Sequence, residues 1–170
     1  MPGRRALLIL APTGFTDHEF IQPKEVLERE GIEVVTCSVS RGPCRGSSGT
    51  AAQAEIPLAE ARAEDYDALI VAGGVGALQH LQHDPKLISL LKKAQEKGRV
   101  VAAIGRGRHC LANAGLFAGN FAYGPPVEVN GNIVAGRPPA TTPGWTSRMF
   151  AQVVAELLRS RCPVTNETPG

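Results

Sequence analysis

Runs of uninterrupted apolar residues constrain the fold of this chain more than any other feature. Three of them cover residues 6–10, 68–72 and 100–104, and glycine or proline follows each within a few positions. Such runs are typical of parallel strands that are buried on both faces. Two further strands are predicted, at residues 32–39 and 133–134.

Helical patterns lie between these strands. Helices are predicted at residues 20–30, 58–64, 85–97, 105–116 and 145–159, and a loop rich in Gly, Ser and Pro at residues 41–49. The helix at 85–97 is the best delimited, because Asp84 is a good N-cap and Gly98 follows its last residue. Strand and helix alternate throughout, which predicts an open, mostly parallel α/β sheet with helices on both faces. We expect a single domain over residues 1–162 and a loose tail over 163–170.

Composition excludes several classes of function. The 170 residues include 18 basic and 16 acidic side chains, and a net charge of +2 gives no reason to expect nucleic-acid binding. The four cysteines form no CxxC pair and have no histidine at zinc-ligand spacing, so we expect free thiols and neither a metal nor a cofactor. No apolar stretch is long enough to span a membrane, and the predicted location is the cytoplasm.

Three stretches, in order along the chain, resemble the ThiJ/PfpI (DJ-1-like) superfamily, and most closely its PfpI branch. The first is the strand at 68–72 with Gly73, Gly74 and Gly76 after it. The second is the strand, turn and helix of residues 101–107 with Ala114-Gly115-Leu116, which is similar to the family pattern A-I-C-H-G or A-I-C-R-G. The third is Arg137-x-Pro139-Ala140 with Trp145 after it.

The resemblance implies a flavodoxin-like sheet with a ligand pocket at the carboxyl ends of its strands. It also implies a homodimer or higher homo-oligomer. Active members are associated with cysteine-dependent work on aldehydes, glycated groups or amides. The candidate pocket residues are Glu19, Gly73, Gly74, Gly105 and Arg106, with the Gly74 and Arg106 amides as remnants of an oxyanion hole.

Gly105 stands where the family places its catalytic cysteine, on the tight strand-to-helix turn that we call the elbow (residues 104–107). Glycine supplies no nucleophile, and it adopts the strained backbone of such a turn freely. Arg106 replaces the histidine that often follows the cysteine, and an arginine does not act as a base near neutral pH. Leu78 occupies the position of a partner acid, and Thr16 that of the first acid before the first helix, whereas Glu19 is retained.

The segment between Gly115 and Asn130 is shorter than in active members, which bears on substrate specificity and on oligomer contacts. Cys110 is the possible substitute thiol, although a buried core cysteine is the more usual role. Cys37 is expected near the pocket rim. Trp145 is expected either to pack the last helix on the sheet or to form a subunit contact.

Two roles remain for the arginines after the elbow. Arg106 and Arg108 could bind a carboxylate or phosphate, or Arg106 pairs with Glu19 or Asp17 while Arg108 points to solvent. The four histidines are interpreted as surface residues, and the acids near position 17 as helix caps.

The leading hypothesis is a non-catalytic family member that keeps a pocket for a small anionic or carbonyl ligand. The alternative is a cysteine-type deglycase, glyoxalase or peptidase-like enzyme that uses another thiol or is inactivated by a Cys-to-Gly change at position 105. A third possibility is a structural oligomer subunit without a ligand.

Overall fold

The computed structural model describes residues 3–119, 121, 124–137 and 143–164. The strands are β1 (Arg5–Ile9), β2 (Thr13–Phe15), β3 (Glu33–Ser38), β4 (Gly42–Gly46), β5 (Ala51–Ala54), β6 (Ile56–Pro57), β7 (Ala68–Val71), β8 (Val100–Ile104), β9 (Val127–Asn130) and β10 (Ile133–Gly136). The helices are α1 (Asp17–Arg29), α2 (Pro85–Glu96), α3 (Arg108–Asn113) and α4 (Pro143–Arg159).

Seven strands form the main sheet in the order β6-β3-β1-β7-β8-β10-β9. All neighbouring pairs are parallel except β9 and β10, which are antiparallel around the turn before Ile133. The three central strands, β1, β7 and β8, are the three apolar runs of the sequence. The predicted flavodoxin-like α/β class, with an open and mostly parallel sheet, is therefore confirmed.

Each face of the main sheet carries its own apolar core. On one face, side chains such as Leu7, Ile9 and Leu69 pack with α2, α3 and the segment before β7. On the other face, alternate side chains of the same strands pack with α1 and α4, which contact each other along their length. This alternation is what a strand buried on both faces requires, because successive side chains point to opposite sides.

A second, three-stranded sheet in the order β2-β4-β5 was not expected from the sequence. Its middle strand, Gly42–Gly46, lies within residues 41–49, so the prediction of a loop there is wrong. Glycine, proline and arginine are poor indicators of a strand. This strand forms because β5 supplies an antiparallel partner, and because Cys44 and Ala54 are buried against the α1 and α4 side of the sheet.

The first turn of α1 is tied to this small sheet. The Asp17 carboxylate accepts hydrogen bonds from the Ser48 and Thr50 backbone N–H groups, both at 2.8 Å. Asp17 therefore anchors the loop between β4 and β5, where a simple cap of its own helix was predicted.

The ends of α2 agree with the prediction. Asp84 accepts hydrogen bonds from the Lys86 and Leu87 N–H groups, and Gly98 follows the helix with φ +75°. The predicted helix at 58–64 is instead two short 3-10 turns, Leu58–Glu60 and Ala63–Asp65. Of the predicted tail, the Val164 N–H donates to Asp67 at 2.6 Å, and residues 165–170 lie outside the described residues.

Candidate functional site

The elbow joins β8 to α3 through one left-handed residue. Ile104 ends the strand in extended conformation, Gly105 has φ +59°, and a 3-10 turn over Gly105–Gly107 leads into α3. Every described residue with positive φ is a glycine. A side chain at this φ would cost about 1–2 kcal/mol, so Gly105 relaxes the turn, as expected.

A side chain at position 105 would point at the carboxyl group of Glu19. An ideal Cβ placed on Gly105 lies 2.7 Å from Glu19 Oε2 and 2.8 Å from Oε1. The backbone at Gly105 is thus oriented so that a side chain there would meet Glu19, although Gly105 itself has none. A cysteine at this position would require the Glu19 carboxyl to move aside.

Glu19 is the most unusual charged group at the elbow. It lies in the first turn of α1, is only 5% exposed, and its Oε1 has no hydrogen-bond partner among the described residues. Burial raises the pKa of Glu19 to about 7, against the opposing effects of the Gly73 backbone N–H and of the Arg108 and Arg106 charges. Near neutral pH, both protonation states of this carboxyl are therefore populated, which suits a group that exchanges protons with a ligand.

Gly73 and Gly74 permit the close approach of three chain segments. A Cβ on Gly73 would lie 2.5 Å from the Ile104 carbonyl oxygen and 2.8 Å from the Arg106 amide nitrogen, and closer still to Glu19 Oε1. Gly74 has φ +108°, and a Cβ there would lie 2.5 Å from the Gly14 carbonyl oxygen. Glu19, Gly73, Gly105 and the Arg106 backbone thus lie together, whereas Gly74 packs against the chain at Gly14.

The ion pair predicted for Arg106 is wrong, and so is the solvent exposure predicted for Arg108. Arg106 is exposed and forms no ion pair with a described residue. Arg108 is 8% exposed, and its Nε donates to the Gly105 carbonyl oxygen at 2.8 Å. The side chain of Arg108 points back over the turn that precedes it, as helical side chains do.

Arg137 is a site residue that sequence reasoning did not identify. It follows β10, the neighbour of β8 in the sheet, so its side chain and the elbow lie at the same edge. Its Nη2 donates to the Gly124 carbonyl oxygen, while its Nε is buried without a partner among the described residues. The signal was available, because carboxyl ends of adjacent parallel strands meet at one edge. Pro139 and Ala140 of the same motif lie outside the described residues.

The cysteines do not supply a substitute nucleophile at the elbow. Cys110 is fully buried, and burial raises the pKa of its thiol to about 12. Cys37 lies within β3 and not at a pocket rim, and its pKa is likewise raised to about 12, by burial and then by Cys44. Cys162 is exposed, but it lies beside Arg4, Asp67 and Gly98, at the opposite edge of the sheet.

His18 of α1 and Trp145 of α4 both lie near the start of α4, and the structure corrects the prediction for the first and excludes one alternative for the second. His18 is not a surface residue: it is half-buried, and its Nδ1 lies 2.6 Å from the Oγ of fully buried Ser147. Burial lowers the pKa of His18, and the nearby Asp17 charge opposes that change. Trp145 is 60% exposed, so it does not pack α4 on the sheet, and a subunit contact remains a prediction.

The largest described cavity is not at the elbow. It has a volume of about 580 Å³ and lies between the 3-10 turns before β7 and the outer face of α2, lined by residues that include Leu58, Arg62 and Lys93. None of the other described cavities is lined by the elbow residues. At the elbow, Gly105 itself is half-exposed and Arg106 is exposed, so the described part of the site is a shallow surface over a buried carboxyl.

Within the described residues, no group of three or more His, Cys, Asp or Glu side chains could hold a metal ion. No described helix is long and apolar enough to cross a membrane.

The sequence of this chain is similar to a known protein family and to several known proteins. The model of the DJ-1/PfpI family matches residues 4–124. A deglycase of Pyrococcus horikoshii is 30% identical over 156 residues, which cover 82% of this chain and 93% of that protein. An uncharacterized protein of Methanocaldococcus jannaschii is also 30% identical, over 82% of this chain and 77% of its own length.

Solved structures show the same fold. A ThiJ/PfpI domain protein from Brachyspira murdochii superposes with a TM-score of 0.84 at 24% identity, covering 95% of this chain and 100% of that one. The DJ-1beta protein of Drosophila melanogaster superposes with a TM-score of 0.79 at 24% identity, covering 95% and 92%. With the family match over most of its length, this chain belongs to the DJ-1/PfpI family.

Proposed function

We propose that this protein acts on small 2-oxoaldehydes at the elbow, with the Glu19 carboxyl as the proton acceptor and donor and without a covalent thiol intermediate. The relatives named as deglycases support a catalytic role over the loss of activity that Gly105 alone suggested. The observation that carries the proposal is the buried carboxyl of Glu19, aimed at the space that an elbow side chain would otherwise fill.

The chemistry needs only one acid–base group. A 2-oxoaldehyde takes up water at its aldehyde carbon, and the resulting hydrate is an isomer of the 2-hydroxy acid. In its ionised form, Glu19 removes the proton from the hydrated carbon, which leaves an enediolate with its negative charge on the neighbouring oxygen. The protonated carboxyl then returns a proton to the neighbouring carbon, and a hydroxyl proton of the hydrate moves to that oxygen, which gives the 2-hydroxy acid. No atom is gained or lost after hydration, and Glu19 ends in its starting state.

The raised pKa of Glu19 fits this role. A general base and acid works best when its pKa lies near the working pH, because both forms are then available. Gly105 has no side chain to cover the Glu19 carboxyl, so the reacting carbon would approach that carboxyl over the half-exposed glycine, farther away than the 2.7 Å of an ideal Cβ. The Arg106 amide, which lies near the same point, is a candidate donor to the enediol oxygen.

Conversion of methylglyoxal to lactate, followed by proton NMR in deuterated water, tests this proposal. We expect turnover by the natural chain, with deuterium at the carbon next to the product carboxylate. Glu19→Gln keeps the shape of the side chain and should reduce turnover at least about a hundredfold. Glu64→Gln, at a carboxylate that pairs with Lys97 at the opposite edge of the sheet, is the matched control and should retain turnover.

Two outcomes would contradict the proposal. Equal turnover by Glu19→Gln and the natural chain would show that the Glu19 carboxyl takes no part in the reaction. Absence of turnover by the natural chain, under conditions in which Gly105→Cys produces lactate, would show that Glu19 without a thiol does not carry the reaction.

The second candidate function is ligand binding without turnover. It is favoured by a specific observation: Cys37, Cys44 and Cys110 are all buried, so the described site offers no thiol. A Gly105→Cys variant separates the two candidates. If only that variant produces lactate, the natural chain is a binding protein that lacks its nucleophile.

A further inference from the structure

Two guanidinium groups, those of Arg108 and Arg137, lie at the elbow edge, and neither is paired with a carboxylate of a described residue. Arg108 donates to the carbonyl oxygens of Gly105 at 2.8 Å and Phe121 at 3.2 Å, and Arg137 donates to the carbonyl oxygen of Gly124. Neither arginine forms an ion pair with a described residue. All their described hydrogen bonds therefore go to neutral main-chain oxygens.

This arrangement is costly in the free protein. Buried arginines are usually paired with an acid, because removal of their charge from water is otherwise uncompensated. Here Arg108 is 8% exposed, and its pKa is lowered first by burial and then by the charge of Arg137. Glu19 and Glu128 oppose this effect from a distance. The two guanidinium groups thus lie close enough for the charge of Arg137 to act on Arg108.

One donor of the pair is left unused. The Nε of Arg137 is buried and has no hydrogen-bond partner among the described residues. A buried donor without a partner loses the full free energy of its hydration. A ligand oxygen that accepts from this N–H would recover that loss, and a charged oxygen would also relieve the repulsion between Arg108 and Arg137.

The position of the pair relative to Gly105 limits the size of the ligand. Because Arg108 Nε bonds to the Gly105 carbonyl oxygen, the anion would lie within a short chain of the reacting carbon at the elbow. Arginine presents a planar fork of N–H donors that matches the two oxygens of a carboxylate or phosphate. The aromatic ring of Phe121, whose centroid is 5.2 Å from the Arg108 guanidinium carbon, covers the other side of that group.

We propose that Arg108 and Arg137 form an oxyanion subsite beside the elbow, and that the preferred ligands are 2-oxoaldehydes that carry a carboxylate or phosphate a few carbons from the aldehyde. This inference rests on the proposed function for the identity of the reacting group, but the subsite itself is defined by the two arginines.

The test compares a charged substrate with a neutral one of the same length. In 4,5-dioxovalerate a carboxylate stands where 2-oxopentanal has a methyl group. KM and kcat for both are measured with the natural chain, Arg137→Gln and Arg137→Lys. Arg62→Gln, which removes an exposed arginine at the opposite edge of the sheet, is the control. Binding of 4,5-dioxovalerate and of inorganic phosphate is measured separately by calorimetry, because binding does not depend on turnover.

We expect Arg137→Gln to raise KM for 4,5-dioxovalerate about 10- to 100-fold, as for the loss of a charge-assisted hydrogen bond. KM for 2-oxopentanal and kcat for both should change little, Arg137→Lys should recover part of the loss, and Arg62→Gln should behave as the natural chain does. Competition by phosphate would assign the subsite to oxyanions in general, and binding of dioxovalerate alone would assign it to carboxylates.

Equal effects of Arg137→Gln on both substrates would overturn the subsite and leave Arg137 a structural role. Turnover of 2-oxopentanal with no preference for 4,5-dioxovalerate would also overturn it, while the proposed function would stand. Conversely, if neither aldehyde is converted but calorimetry shows dioxovalerate binding that Arg137→Gln abolishes, the proposed function fails and the subsite stands.

Discussion

Charged groups at the two edges of the main sheet differ in whether they have partners. At the edge where the strands begin, the charged groups have partners: Arg5 pairs with Glu33 at 3.2 Å, Glu64 pairs with Lys97 at 3.5 Å, and the buried Asp67 accepts hydrogen bonds from the Arg5 and Val164 backbone N–H groups. At the edge where the strands end, Glu19 and Arg108 are buried and form no ion pair with a described residue.

The difference separates groups that contribute little to stability from groups that reduce it. Exposed ion pairs are worth a fraction of a kcal/mol at most, and their loss is tolerated. A buried charge without a partner costs several times more, so it persists only where another requirement outweighs stability. On this physical ground the elbow edge, and not the cavity beside α2, is the candidate functional site.

The largest expected effect is the pH dependence that Glu19 imposes on stability. Its pKa in the folded protein is about 7, above its ordinary value of 4.5. The stability that folding gains from the protonated Glu19 carboxyl is therefore fully present below about pH 4.5 and is lost as the pH rises through about 7. The reason is that the unfolded chain releases this proton at a lower pH than the folded protein does. This lowers the free energy of unfolding by about 3 kcal/mol over that range.

Urea unfolding of the natural chain and of Glu19→Gln between pH 4.5 and 8 measures this effect. The variant should lose most of the decline and be the more stable protein at pH 8. Glu64→Gln, which changes an exposed carboxylate at the opposite edge, should keep the decline. If Glu19→Gln and the natural chain have parallel pH profiles, Glu19 is not a buried, protonated group.

A smaller effect is expected from Gly73→Ala. The new Cβ would overlap the Ile104 carbonyl oxygen, the Arg106 amide and the Glu19 carboxyl, so the free energy of unfolding should fall by about 2–3 kcal/mol, and turnover with it. Gly98→Ala is the control at the opposite edge, where φ is +75° but no atom lies within 4 Å of the added Cβ. It should cost only about 1 kcal/mol. Similar losses in the two variants, measured by urea unfolding, would show that the elbow is not closely packed.

The smallest effect is expected from Glu33→Gln. This change removes the exposed ion pair with Arg5 and should alter the free energy of unfolding by less than about 0.5 kcal/mol. Thermal unfolding at low and high salt measures it, and the difference should shrink further in high salt. A loss above about 2 kcal/mol would mean that the amino-terminal edge also depends on its charges, and the contrast between the edges would disappear.

The fold was largely predictable because its central strands are apolar without interruption. β1, β7 and β8 need no partner information to be recognised, and the same holds for the capped ends of α2. The small sheet was not predictable, because residues 42–46 form a strand only through their pairing with β5 and their contact with the α1 side of the core.

At the site, the sequence predicted which residues meet but not how their charges are arranged. The family resemblance implied that Gly73, Gly105 and Glu19 lie together. It did not show which arginine is buried, since Arg106 and Arg108 lie only two positions apart on the same turn into α3. Arg137 was missed because its position at the elbow edge depends on β10 lying next to β8, a pairing between separate parts of the chain.

The anchoring of the small sheet by Asp17 has a consequence for observing the elbow. Asp17 and Glu19 share the first turn of α1, so a shift of that turn moves both carboxylates at once. The Ser48 and Thr50 amides, which Asp17 holds at 2.8 Å, thereby act as natural reporters whose exchange with solvent records how firmly the neighbouring Glu19 is kept in place.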